Sequence, residues 1–145
     1  MIALGADHAG FEVKEKIKTF LQSIGYSFQD FGTTSTDSTD YPDYAHTVSE
    51  AVASGKAELG ILVCGTGIGM SIVANKHNGI RAAVVESTSA AQLARQHNNA
   101  NILALGARIT PWETAQEIIK IFLTTKFEGG RHQRRVDKIH TITNL

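Results

Sequence analysis

Cys64 is the one cysteine in the chain, and Gly65, Thr66, Gly67, Ile68, Gly69, Met70 and Ser71 follow it directly. Glycines at alternate positions let the backbone turn sharply and bring its N–H groups close to a ligand. The run LGILV before Cys64 predicts a buried strand, and residues 70–76 predict a helix. The loop then sits at a helix N-terminus, where unpaired N–H groups and the helix dipole favour negative charge. A thiol in that place is expected to ionise more easily than a free cysteine. The chemistry on offer is a thiolate base beside an anion cradle. The competing reading is packing, since a lone cysteine is commonly a small buried apolar residue. Three other motifs are excluded by inspection. The dinucleotide fingerprint wants a third glycine where Met70 stands, and the P-loop needs a Gly-Lys-Ser/Thr that is absent. A cysteine phosphatase would carry an arginine six residues after the cysteine, again at Met70.

Other polar residues recur near strand ends. Asp7 and His8 end the first predicted strand, Cys64 the third, and Arg108 follows the fifth, so all should face one carboxyl edge. Ligands of open α/β sheets gather at that edge. His97 and Asn98 close the helix before the fifth strand and are placed less directly. Each residue has a plainer role open to it: Asp7 as a helix cap, His97 as a C-terminal cation, Arg108 as a solvated charge. Near the C-terminus, Arg131 and Arg135 are four apart, so on a helix they share a face and can grip one phosphate. No set of Cys, His and Asp has close metal-ligand spacing, so no metal is expected.

The elements that must position these groups follow from periodicity. Strands are predicted over 2–6, 26–31, 59–64, 80–85 and 102–105. Phe11, Val13, Ile17, Phe20, Leu21 and Ile24 recur at helical spacing, with Glu12, Lys14, Glu15, Lys16 and Lys18 on the opposite face. Pro42 opens a second helix that Gly55 ends, and 87–97 forms another. Thr110, Pro111 and Glu113 read as a capping box for a helix reaching about residue 127. Gly129-Gly130 breaks it, and 131–145 forms a last helix whose apolar stripe, Val136, Ile139 and Ile142, calls for a surface to cover. Strands alternating with helices predict an α/β, single-domain, three-layer sandwich on a five-stranded parallel sheet with right-handed crossovers.

Composition agrees with one domain. The 145 residues are 42% hydrophobic and 19% charged, which suits a globular core rather than a disordered chain. Lys and Arg balance Asp and Glu at 14 each, which argues against nucleic-acid or anionic-membrane partners. One cysteine makes no internal disulfide and fits a cytoplasmic setting. No signal peptide or membrane span is expected.

Six segments together (GADHAG, TDYPDYA, CGTGIGMSIVANK, GIRAAV, ARQHNNANILALGAR and FEGGRHQRRV) resemble the ribose-5-phosphate isomerase type B family over nearly the whole chain. The resemblance implies a Rossmann-like fold, and interconversion of ribose 5-phosphate and ribulose 5-phosphate in the pentose phosphate pathway without metal or organic cofactor. It further implies a homodimer or dimer of dimers with shared active sites, the C-terminal helix packing on a neighbouring subunit. Position by position it makes Cys64 the base and gives Gly65, Gly67 and Gly69 the enediolate oxygens, with Ser71 in the same substrate-binding loop. Thr66 becomes a polar partner near the reacting oxygens and His97 the residue that opens the furanose. Asp7, Tyr41 and Asn98 become sugar contacts, and His8, Arg108, Arg131 and Arg135 phosphate contacts. Allose 6-phosphate as substrate and a non-catalytic sugar-phosphate-binding regulator are the alternatives. The joint presence of Cys64 and His97 disfavours the regulator.

Overall fold

The computed structural model describes residues 1–145. Its strands are β1 (Ile2–Ala6), β2 (Phe28–Asp30), β3 (Leu59–Cys64), β4 (Ala82–Val84) and β5 (Ile102–Gly106). Its helices are α1 (Phe11–Ser23), α2 (Tyr41–Ala53), α3 (Ile68–Ala74), α4 (Thr88–Asn98), α5 (Trp112–Thr124) and α6 (Arg131–Thr143). All strand pairs are parallel, in the order β2-β1-β3-β5-β4. Every residue of β1, β3 and β5 is buried, as strands covered on both faces must be. On one face, Ile17 and Leu21 of α1, Ala91 of α4 and Ile118 and Phe122 of α5 pack with Ile61, Val63, Leu103 and Leu105. On the other, Val48 of α2 and Met70 and Ala74 of α3 pack with Leu62 and Ala104. Burying each large side chain contributes about 1.5–3 kcal/mol, so both layers are needed to hold the sheet.

The strand order decides where a ligand can sit. From β1 the chain leaves through α1 to β2 at one edge; from β3 it leaves through α3 toward β4 at the other. β1 and β3 are paired neighbours, Ile2 opposite Leu59 through Ala6 opposite Val63. Their carboxyl-end loops therefore diverge to opposite faces and leave a crevice, which is the usual ligand position in doubly wound sheets.

Several local expectations are corrected. β2 and β4 have three residues each, because both are edge strands paired on one side only. α3 begins at Ile68, two residues early, and ends at Ala74. Thr110 caps nothing: Pro111 holds the N-cap position of α5, and the Thr110 hydroxyl is buried without a partner. The helix also stops at Thr124, short of residue 127. Lys14 is 1% exposed rather than on a solvated face. Its ammonium donates to Asp30 at 2.5 Å and to Glu15 at 3.2 Å, tying α1 to β2. Asp30 also accepts the Gly32 N–H at 2.8 Å and so starts the loop that leads to α2.

α6 packs partly on its own chain. His132 and Val136 are buried, while Ile139 and Ile142 remain 40% and 73% exposed. It contacts α4, where the His97 and His132 rings stack with centroids 4.2 Å apart, and its His140 meets Arg81 at 2.8 Å.

Candidate active site

A cleft of about 220 Å³ opens at the carboxyl ends of β1 and β3, lined by Asp7, His8, Ala9, Tyr41, Cys64, Gly65, Thr66, Gly69 and Arg108. Three strand-end groups that the sequence assigned to one edge thus meet in one place. Cys64 is 5% exposed, and its sulfur accepts the Gly67 N–H at 3.1 Å. This bond depends on Gly67 turning back at φ +79°, a left-handed conformation that glycine adopts freely. The Thr66 hydroxyl accepts the Ile68 N–H at 3.2 Å. The N–H groups of Gly65 and Thr66 donate to no protein acceptor, and neither do those of Gly69 and Met70. The last two belong to a helix's first turn, where such orphans are ordinary. Gly65 and Thr66 precede the helix, so their free donors are a property of the loop.

The walls are set by close approaches. The Ala107 N–H donates to the Cys64 carbonyl at 2.8 Å and the Arg108 N–H to the Gly65 carbonyl at 3.0 Å, locking the β5 turn onto the β3 turn. The Arg108 guanidinium then lies over Gly65, 3.0 Å from where a Cβ would stand. The Tyr41 ring lies over Gly69, 2.7 Å from a Cβ there. Asp7 is 6% exposed and its Oδ1 accepts the Gly10 N–H at 3.1 Å. This bond closes the turn before α1 but does not cap the helix, whose N-cap is Gly10 and receives no side-chain cap bond, and the carboxylate is in no ion pair. His8 Nδ1 accepts the Thr39 N–H at 3.1 Å, which fixes Nε2 as the protonated nitrogen of the neutral ring. A donor is thereby directed away from the loop of residues 32–40.

Other expected site residues fall outside the cleft. Ser71 is inside α3, its hydroxyl donating to the Ile68 carbonyl at 2.7 Å. Gly67 serves the cleft through its N–H rather than as lining. His97, Asn98, Arg131 and Arg135 are on α4 and α6, and none lines the cleft. Arg131 and Arg135 are exposed and in no ion pair. His132, which the sequence did not single out, is 7% exposed beneath His97. Burial and then the neighbouring His97, with Arg131 and Arg135, hold His132 below the usual histidine range. The signal for it was its place between two arginines of interest. A larger cavity, about 320 Å³, lies between β4 and α6 and is lined by Ile80, Ala82, Ile139 and His140 among others. Asn98 lines it too, but no thiol and no Asp or Glu side chain does.

Spacing along the chain concealed two clusters of metal-ligand type: His46, Glu50 and His77, and His97, Glu128 and His132. Each joins residues of separate elements, so only the fold brings them together.

The ribose/galactose isomerase family matches residues 2–139. Ribose-5-phosphate isomerase B of Escherichia coli (strain K12) is 50% identical over 141 residues, covering 97% of this chain and 95% of that protein. A D-erythrulose-4-phosphate isomerase of Pectobacterium atrosepticum is 49% identical over 139 residues, covering 95% and 91%. A solved structure of Clostridium thermocellum ribose-5-phosphate isomerase B superposes with a TM-score of 0.97 at 48% identity, over 99% of this chain and 97% of that one. With the fold, the cleft and near-complete matches in agreement, the chain belongs to the ribose/galactose isomerase family.

Proposed function

We propose that the protein interconverts ribose 5-phosphate and ribulose 5-phosphate through an enediolate, with the Cys64 thiolate as the base. The observation that carries this reading is the thiol at the β1/β3 crevice, beside loop N–H groups that have no acceptor in the protein. Sγ takes the proton from C2 of the open-chain aldose and returns it to C1, while the proton of the C2 hydroxyl passes to O1, so that the carbonyl moves from C1 to C2. The charge that develops passes onto the carbonyl oxygen, which the free Gly65 and Thr66 amides stabilise. The Gly67 N–H stays on sulfur and holds it in place. A positioned base contributes about 10²–10⁴-fold. One oxyanion donor contributes about 10²–10³-fold.

His8 Nε2 and the Arg108 guanidinium supply donors for the phosphate, and Asp7 and Tyr41 bind sugar hydroxyls. The dianion binds remote from the reacting carbons and so holds them near Cys64. His97, Asn98, Arg131 and Arg135 complete the site from a second copy of the chain. The exposure of Asn98, Arg131 and Arg135 and the absence of all four from the cleft of their own chain support that reading, as do the uncovered Ile139 and Ile142 of α6. The protein then works in the pentose phosphate pathway of the cytoplasm as a homodimer or dimer of dimers. No helix is long and apolar enough to cross a membrane.

Sugar length is tested directly, because a relative named for a four-carbon ketose phosphate is as similar as one named for ribose 5-phosphate. Purified protein is incubated in EDTA with erythrose 4-phosphate, ribose 5-phosphate and allose 6-phosphate, and ketose formation is followed. The highest kcat/KM with the pentose supports the assignment. Preference for another length reassigns the substrate, and turnover of none leaves the binding regulator.

A further inference from the structure

We propose that His46, Glu50 and His77 form a binding site for one divalent cation of the zinc class, on the surface between α2 and the end of α3. His46 and Glu50 are one helical turn apart, so their side chains leave the same face of α2. His77 arrives from the turn after α3, where the His77 N–H donates to the Ala74 carbonyl at 3.1 Å. The three donor groups converge within 4.8 Å of one another, with His46 and Glu50 exposed and His77 partly buried.

The donor states suit a cation. His77 Nδ1 lies 3.1 Å from the Val73 carbonyl and 3.2 Å from that of Ala74. A carbonyl only accepts, so Nδ1 carries the proton and Nε2 offers its lone pair. Holding the far nitrogen of a ligating imidazole by a backbone carbonyl is how metal-binding histidines are oriented. Nε2 of His77 meets His46 Nδ1 at 2.8 Å and stands 3.7 Å from a Glu50 oxygen. Without a cation, one proton on His46 Nδ1 fills the gap between two lone pairs. A cation replaces that proton, which moves to the exposed Nε2 of His46.

Two imidazole nitrogens bound to one zinc at about 2.0–2.1 Å stand roughly 3.3 Å apart in a tetrahedron. The site therefore opens by about half an ångström from the present contact, a shift within reach of the exposed His46 side chain. Two nitrogens and one carboxylate favour Zn²⁺, Co²⁺ or Ni²⁺ over Mg²⁺ or Ca²⁺. The cation would clamp α3, which carries the glycine loop at its other end, to α2, which carries Tyr41.

The test titrates Co²⁺ and Zn²⁺ into metal-free protein and into His46→Ala, His77→Ala and Glu50→Gln. Folding of each variant is checked by thermal melting in EDTA. The wild type should take up one equivalent that the two alanine variants lose, with tetrahedral cobalt bands in the visible spectrum. Glu50→Gln should bind more than about tenfold more weakly. A rise in melting temperature with Zn²⁺ should occur in the wild type and not in His77→Ala. Equal binding by wild type and alanine variants overturns the proposal, because the cation then sits elsewhere, for instance on Cys64 or the His97, Glu128 and His132 group. Absence of a bound equivalent in the wild type overturns it as well.

Discussion

The Gly67 N–H donates to the Cys64 sulfur at 3.1 Å across three residues, so the group proposed as base is held by the turn that follows it. A Cβ at position 67 would stand 3.0–3.2 Å from the Leu105 backbone, on a residue at φ +79°. Gly67→Ala should therefore cost about 1–2 kcal/mol in backbone strain alone and displace the donor from sulfur. Urea denaturation and kcat measured on the folded fraction check this. Unchanged kcat would mean that the Gly67 amide is dispensable.

The ion pair of buried Lys14 with half-buried Asp30 predicts a pH dependence. Burial alone would raise the Asp30 carboxyl. Hydrogen bonds from Lys14, the Gly32 N–H and Lys18 outweigh it and hold the group below its usual range. The unfolded chain then binds a proton at a higher pH than the folded one. The stabilisation is complete above about pH 4 and is lost as pH falls through the lowered folded value. Asp30→Asn should cost about 1–3 kcal/mol at neutral pH, since Lys14 keeps Glu15 as a partner, and flatten the acid limb of a stability profile. Parallel profiles for mutant and wild type would contradict it.

We propose, following the family resemblance, that His97 opens the sugar ring rather than transferring the proton. His97→Asn should slow single-turnover conversion of ribose 5-phosphate and spare ribulose 5-phosphate, which has no such ring. Equal losses from both sides would move His97 to the proton transfer itself.

The division of the site between two copies is tested by complementation. Cys64→Ala and Arg135→Ala should each be nearly inactive alone. A mixed dimer contains one doubly defective site and one intact site if each site draws Cys64 from one chain and Arg135 from the other. It should then recover up to half the wild-type activity. No recovery in isolated mixed dimers would place both residues in one chain's site.

Much of this was legible in the sequence because it rests on local rules. Apolar runs ending in Asp7, Cys64 and Gly106 marked the three central strands, and parallel strands put their ends on one edge, where Asp7, His8, Cys64 and Arg108 do meet. Lys14 was misplaced because periodicity assigns faces by polarity, and a lysine can enter the core when carboxylates meet it. Thr110 matched a capping pattern, yet Pro111 took the cap position. The pairing of His46 with His77 and the stacking of His97 on His132 were invisible because they join elements distant in sequence. For the same reason, the sequence listed His97 and Asn98 as site residues without revealing that they stand apart from Cys64 in one chain, whereas the resemblance had already implied that separation for Arg131 and Arg135 on the C-terminal helix.

The central claim is that the Cys64 sulfur carries the proton. Cys64→Ala and Cys64→Ser are assayed for ketose formation from ribose 5-phosphate in EDTA, with sugar-phosphate binding measured by calorimetry on the same samples. Both variants should bind the sugar phosphate near normally, Cys64→Ala without turnover and Cys64→Ser severely impaired, because a hydroxyl is a far weaker acid than a thiol. Near-normal turnover by Cys64→Ala would contradict the account.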